Sequence, residues 1–206
     1  MARTERKRQF KRSIAIVGDG ITEKIYFEQL KELEQLKDVV IKPELPNKSS
    51  KGGFYKKALD ASLTLIEKGY DHVYCLIDYD TILSENKENE FRKDIRNLDF
   101  KKITIYINNP CFETWILLHY ENTSKPFKNC DAVCKSITKN LGGYSKNQKY
   151  LHQKNLYTTI RPHLETNAIP NAIFLERDRD DKSPNYPRAE IHKFFLKEKI
   201  IKYGSK

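Results

Sequence analysis

His72-Val-Tyr-Cys-Leu-Ile-Asp-Tyr-Asp80 is the stretch that decides the fold. Its first six residues are almost continuously apolar, which suits a short strand covered on both faces, as in a parallel sheet. The run then stops on Asp78-Tyr79-Asp80. Ser13-Ile-Ala-Ile-Val17 is a similar run, closed by Gly18-Asp19-Gly20. Residues 102–108 (KITIYIN) form a third, cut off by Asn109-Pro110, and residues 38–45 (DVVIKPEL) a fourth, in which Pro43 marks an edge or an end.

Helical periodicity fills the gaps. Ile25, Tyr26, Leu30, Leu33 and Leu36 recur at helical spacing over residues 23–37, with Thr22 as the expected cap. Residues 54–68 turn Ala58, Leu59, Ser62, Leu65 and Ile66 inward and stop at Gly69. Residues 85–98 carry Phe91, Ile95 and Leu98 on one face, and residues 112–120 read as an apolar helix. A last strand is expected at 172–176 (AIFLE) and a last helix at 188–197. Strand alternating with helix predicts an α/β fold with a mostly parallel sheet. Residues 1–12 are expected to be a basic arm and 13–200 a single domain, in which the Lys-, Asn- and Tyr-rich segment 121–165 is a helical insertion.

The chain has 206 residues, enough to bury a proper core. No apolar run approaches the length of a bilayer span, and the basic N-terminus lacks a signal peptide's apolar stretch. A soluble, cytoplasmic protein with no membrane partner is expected. Of the four cysteines, Cys75 sits in an apolar run, while Cys130 and Cys134 have helical spacing but no second ligand pair for structural zinc. Reduced structural thiols are the expectation. Thirty-eight Lys and Arg against twenty-eight Asp and Glu leave a net charge of +10, which favours a polyanionic partner such as RNA or DNA.

Ligands of open α/β sheets bind beyond the carboxyl ends of the strands. Acidic residues fall at three such ends: Asp19 with Glu23, the pair Asp78 and Asp80, and Glu113. Two carboxylates crowded at a strand end repel each other, and a hard divalent cation resolves the conflict. Glu113 opens a helix, where the helix dipole also favours an acid. Tyr144 and Lys146 are candidate phosphate contacts; the alternative is a solvated loop. Trp115 is expected in the core. His119 suits either a charge at a helix end or a chemical role, and the other histidines (72, 152, 163, 192) show no ligand spacing. The alternating charges of 176–181 suit a self-neutralising surface loop.

These residues resemble the Toprim fold of topoisomerases, primases and OLD-family nucleases, and more closely the RloB-like family. The resemblance rests on Asp19-Gly20-Ile21-Thr22-Glu23 with Tyr26-Phe27, on Asp78-Tyr79-Asp80, on Asn109-Pro110-Cys111-Phe112-Glu113-Thr114-Trp115-Ile116-Leu117-Leu118-His119-Tyr120, and on Tyr144-Ser145-Lys146. It implies a Toprim-like α/β domain. It further implies Mg²⁺ or Mn²⁺ held by Asp19, Glu23, Asp78 and Asp80, with Glu113 as a further site acid and Tyr144 and Lys146 on the substrate. The implied activity is phosphodiester hydrolysis of RNA or DNA in phage defence, alongside a partner ATPase. Asp19 stands where the family pattern has glutamate. Being one methylene shorter, it reaches a proton only through a shifted backbone or a bridging water. That departure supports an alternative, a nucleic-acid-binding or regulatory subunit with a degenerate site. Nucleotidyl transfer, as in primases, is a third.

Overall fold

The computed structural model describes residues 11–18, 20–36, 39–46, 53–98, 102–178 and 183–200. The elements run β1 (Arg12–Val17), α1 (Ile21–Glu34), β2 (Val39–Glu44), α2 (Phe54–Glu67), β3 (His72–Asp78), α3 (Tyr79–Ser84), α4 (Glu88–Arg96), β4 (Ile103–Asn109) and α5 (Glu113–Leu117). Then come α6 (Cys130–Leu141), α7 (Gln148–Lys154), α8 (Leu156–Ile160), a 3-10 turn and a π turn, α9 (Ile169–Arg177), β5 (Arg188–Ala189) and α10 (His192–Lys197). Among the described residues the sheet has the order β2-β1-β3-β4-β5. The first four strands are parallel and β5 is antiparallel to β4. This is the α/β, Toprim-like architecture expected, with Pro43 on the edge strand β2.

The central strand β3 is buried along its whole length on both faces, as its sequence requires. Tyr74 and Leu76 of β3 face one cluster with Tyr106 of β4, Tyr26 and Phe27 of α1, Trp115 of α5 and Phe194 of α10. Val73, Cys75 and Ile77 face the other, with Ala58 and Leu59 of α2, Ile82 of α3 and Phe91 of α4. Helices α6 to α8 contribute Val133, Ile137, Leu151, Tyr157 and Ile160 to the first cluster, so segment 121–165 shares the core of the sheet. Each such side chain stabilises the fold by about 1.5–3 kcal/mol through burial.

Three elements differ from the expectation. Residues 172–176 lie in α9, not in a strand. Pro170 sits in its first turn, and Ile169, Ala172 and Leu175 are buried at helical spacing. A short apolar run does not distinguish the two periods by itself, whereas Pro is favoured in a first helical turn. The fifth strand is instead Arg188–Ala189, inside the segment expected to be helical, and the last helix begins at His192. The helix expected at 85–98 begins only at Glu88 and ends at Arg96, and a further helix, α3, starts directly after β3.

Candidate active site

The carboxyl ends of β1, β3 and β4 bring the expected residues towards one place. β1 ends at Val17, and Gly20 in extended conformation (φ −124°, ψ 161°) starts α1. Glu23 lies in the first turn of α1 and folds back over the loop. A Cβ on Gly18 would stand 2.6 Å from the Cβ of Glu23, and one on Gly20 would stand 2.7 Å from its Oε2. The two glycines therefore make the room in which this carboxylate, only 3% exposed, is buried. Asp19 lies outside the described residues. Thr22 is not a cap: its hydroxyl donates to Glu113 Oε1 at 3.1 Å, a partner 91 residues away.

Asp78 is the last residue of β3 and is 7% exposed. Contrary to the expectation for the pair, Asp80 does not share the strand end with Asp78. The chain turns into α3 after Asp78, so Asp80 occupies a first helical turn, half-buried. The Thr81 hydroxyl donates to the Asp78 carbonyl at 2.8 Å, and the Asp80 amide donates to the Pro110 carbonyl at 3.1 Å. The second of these bonds ties the Asp-x-Asp turn to the cis Asn109–Pro110 turn that closes β4. The Asn109 carboxamide holds that turn from the other side, donating to the carbonyls of Pro184 (2.8 Å) and Tyr186 (2.7 Å).

Glu113 opens α5 and is fully buried. Its Oε1 accepts from the hydroxyls of Thr22 and Tyr144, each at 3.1 Å, and its Oε2 stands 3.1 Å from the Lys146 ammonium. Cys130 Sγ lies 3.2 Å from the same Oε2. Both oxygens are thus engaged, and the acid, the tyrosine and the lysine singled out separately in the sequence form one unit. Burial alone would lower the pKa of Lys146, but the carboxylates of Glu113, then Asp78 and Glu23, outweigh it and raise it. Glu23 and Asp78 act on this ammonium through their charge, after the direct contact of Glu113. Burial, and then the charge of Glu113, push the Tyr144 hydroxyl well up. The Lys146 side chain nevertheless stays 48% exposed, so a solvent-borne anion can reach it.

Cys111 and Cys130 form a disulfide (S–S 2.10 Å, Cα–Cα 5.6 Å), which corrects the expectation of reduced thiols for these two; Cys75 and Cys134 remain thiols. Donor atoms of Cys111, Glu113 and Cys130 lie within 4.8 Å of one another, an acidic and cysteine cluster with the makings of a metal site. Its sulfurs become ligands only when the disulfide is reduced, because metals bind the thiolate. Glu23, Asp78 and Asp80 do not form so tight a group among the described residues.

Trp115 is core, as expected: it is fully buried and its indole N–H donates to the Tyr26 hydroxyl at 2.9 Å. His119 is buried too, its Nδ1 3.0 Å from the Trp115 carbonyl, and burial pushes its pKa down to about 3. It is neutral, which rules out the first of its two expected roles, a charge at a helix end. Of 176–181, Glu176, Arg177 and Asp178 are exposed at the end of α9; the remainder lie outside the described residues, as do residues 1–10 of the basic arm. Among the described residues no helix is long and apolar enough to cross a membrane.

No curated protein and no solved structure matches the chain. The family model described as RloB-like protein matches residues 14–196, a span that runs from β1 into α10 and holds every acid of the site. The chain belongs to the RloB-like family.

Proposed function

We propose that this RloB-like protein is a Mg²⁺- or Mn²⁺-dependent nuclease that hydrolyses phosphodiesters of RNA or DNA and serves in phage defence. The observation that carries the reading is that two carboxylates at the carboxyl ends of neighbouring parallel strands, Glu23 just after β1 and Asp78 on β3, are buried and both act through their charge on the Lys146 ammonium. Burying carboxylates at neighbouring strand ends carries a desolvation cost that a bound cation offsets. The donor set there is oxygen only, which fits a hard divalent cation. Glu23, Asp78 and Asp80 are its holders, with Asp19 a fourth candidate. When bound, such a cation supplies a Lewis acid and lowers the pKa of its water.

The chain's own residues do the rest. Glu113 fixes Lys146 so that the exposed part of its side chain can meet a phosphate oxygen. The surplus of ten positive charges draws a polyanion towards the site. Incubating purified protein with Mg²⁺ or Mn²⁺ and a panel of RNA, tRNA, single-stranded and duplex DNA tests the reading. The expected result is cleavage that Asp78→Ala abolishes and a chelator stops. No cleavage by the wild type, or equal cleavage by Asp78→Ala, sinks it.

Asp19 in place of glutamate favours a second reading, a nucleic-acid-binding or regulatory subunit working with a partner ATPase. It expects salt-sensitive binding without cleavage, unaffected by chelator or by Asp80→Ala. Loss of binding on chelation counts against it.

A further inference from the structure

Asn108 is the register partner of Asp78 in the parallel β3–β4 ladder, at the carboxyl end of both strands. Side chains alternate along a strand. The stacked rings of Tyr74 and Tyr106, with centroids 5.5 Å apart, identify the face that even-numbered residues of β3 and β4 share. Asp78 and Asn108 are therefore neighbours on one face, just past the aromatic core and on the side from which α1 brings Glu23.

Asn108 is fully buried, and among the described residues neither its Oδ1 nor its Nδ2 has a hydrogen-bond partner. Buried carboxamides are almost always satisfied, because desolvating one without replacement bonds costs free energy. The adjacent Asn109 obeys that rule twice over. Packing does not account for Asn108 either: an apolar residue of its size fills the same volume without the penalty. An unsatisfied carbonyl oxygen beside an acidic strand end implies a donor that arrives with a ligand. Water held by a divalent cation is such a donor, and a neutral oxygen adds to the site without adding repulsion.

We propose that Asn108 is a positioning residue for the cation: its Oδ1 accepts a hydrogen bond from water in the hydration shell of a divalent ion bound at Asp78. The inference rests on the metal-dependent reading above and adds to it a residue that carries no charge.

The test is Asn108→Leu, which keeps the volume and removes both polar atoms. Two readouts are expected to move in opposite directions. The metal-free variant melts above wild type, because the orphaned atoms are gone. Its affinity for Mn²⁺, measured by calorimetric titration, falls about 10- to 100-fold, the usual range for loss of an outer-shell partner. Asn108→Asp guards against a variant that does not fold. It keeps the oxygen and adds charge, so it melts below wild type without metal, yet Mn²⁺ raises its melting temperature at least as far. Asn108→Leu binding Mn²⁺ as wild type does, or Asn108→Asp gaining less from Mn²⁺ than wild type, overturns the assignment alone. A wild type that binds no Mn²⁺ overturns the metal-dependent reading, and this inference with it.

Discussion

The Lys146 ammonium stands 3.1 Å from Oε2 of Glu113, a carboxylate with no exposure, although the lysine side chain itself is about half exposed. The two ends of the pair therefore have unequal stakes. Lys146→Met leaves a buried negative charge with hydroxyl donors alone, and is expected to cost about 1–3 kcal/mol. Glu113→Gln leaves an ammonium that water can solvate, and costs less. Combining the two changes brings stability back above that of Lys146→Met. Urea unfolding of the three variants at pH 7 checks the order, and a Lys146→Met protein as stable as wild type refutes it.

The glycines before α1 make a second unequal pair. Neither has a left-handed φ, so the strain in replacing them comes from contact with Glu23. In Gly18→Ala the new methyl meets the Glu23 Cβ, which is tied to the helix backbone. In Gly20→Ala it meets a terminal carboxylate oxygen, which can swing aside. Gly18→Ala is expected to lose about 1–3 kcal/mol, as overpacked sites do. Gly20→Ala keeps its thermal stability but displaces the carboxylate, and so binds Mn²⁺ more weakly. Equal melting temperatures for the two variants count against this account.

Much of the fold is written locally. β3 is legible because a strand buried on both faces has to be apolar throughout, and Asp78 is legible as the point where that requirement stops. α1 and α2 follow from their period, and the edge position of β2 from Pro43. What escapes local reading is decided by distant partners. Thr22 has the chemistry of a cap, but Glu113, on another element, takes its hydroxyl. Asp80 follows Asp78 by two residues, yet the chain enters α3 between them. The run at 172–176 has strand composition, and only its burial pattern reveals the helix. Of the site, Glu23, Asp78, Asp80, Glu113, Tyr144 and Lys146 are legible as residue types at strand ends and in motifs. The grip of Glu113 on Tyr144 and Lys146 is not, because it spans 31 and 33 positions. Asn108 leaves no signal in the sequence at all. An asparagine near a strand's end is ordinary until its amide is found buried without a partner among the described residues.

The disulfide predicts a thiol count. Cys111 and Cys130 are bonded to each other, and Cys75 and Cys134 are thiols. Protein purified without reductant and denatured in the presence of a thiol reagent is expected to give two reactive thiols, and four after reduction. The bond closes a loop with a sequence separation of 19, so reduction is expected to lower stability by about 2–4 kcal/mol on the chain-entropy account. Four thiols before reduction would show that the cysteines are not paired.

His119 sets an acid limit on stability. Burial is the main cause of its pKa falling to about 3, and the nearby charges of His163 and Arg161 push the same way, against the hydrogen bonds to the Trp115 and Ile116 carbonyls. An unfolded chain takes up this proton near pH 6.5, whereas the folded chain refuses it until about pH 3. Between those values the unfolded state binds one more proton, so stability falls as the pH falls. The stabilisation is complete above about pH 6.5 and is lost progressively below it, at a limiting slope of about 1.4 kcal/mol per pH unit. His192 is shifted in the same direction by burial and contributes to the same decline. His119→Gln removes one of the two titrations. Urea unfolding free energies between pH 6.5 and pH 4.5, above most carboxylate titration, are expected to fall less steeply for His119→Gln than for wild type. Parallel slopes would mean that His119 accepts a proton in the folded protein, and that its burial does not hold it neutral.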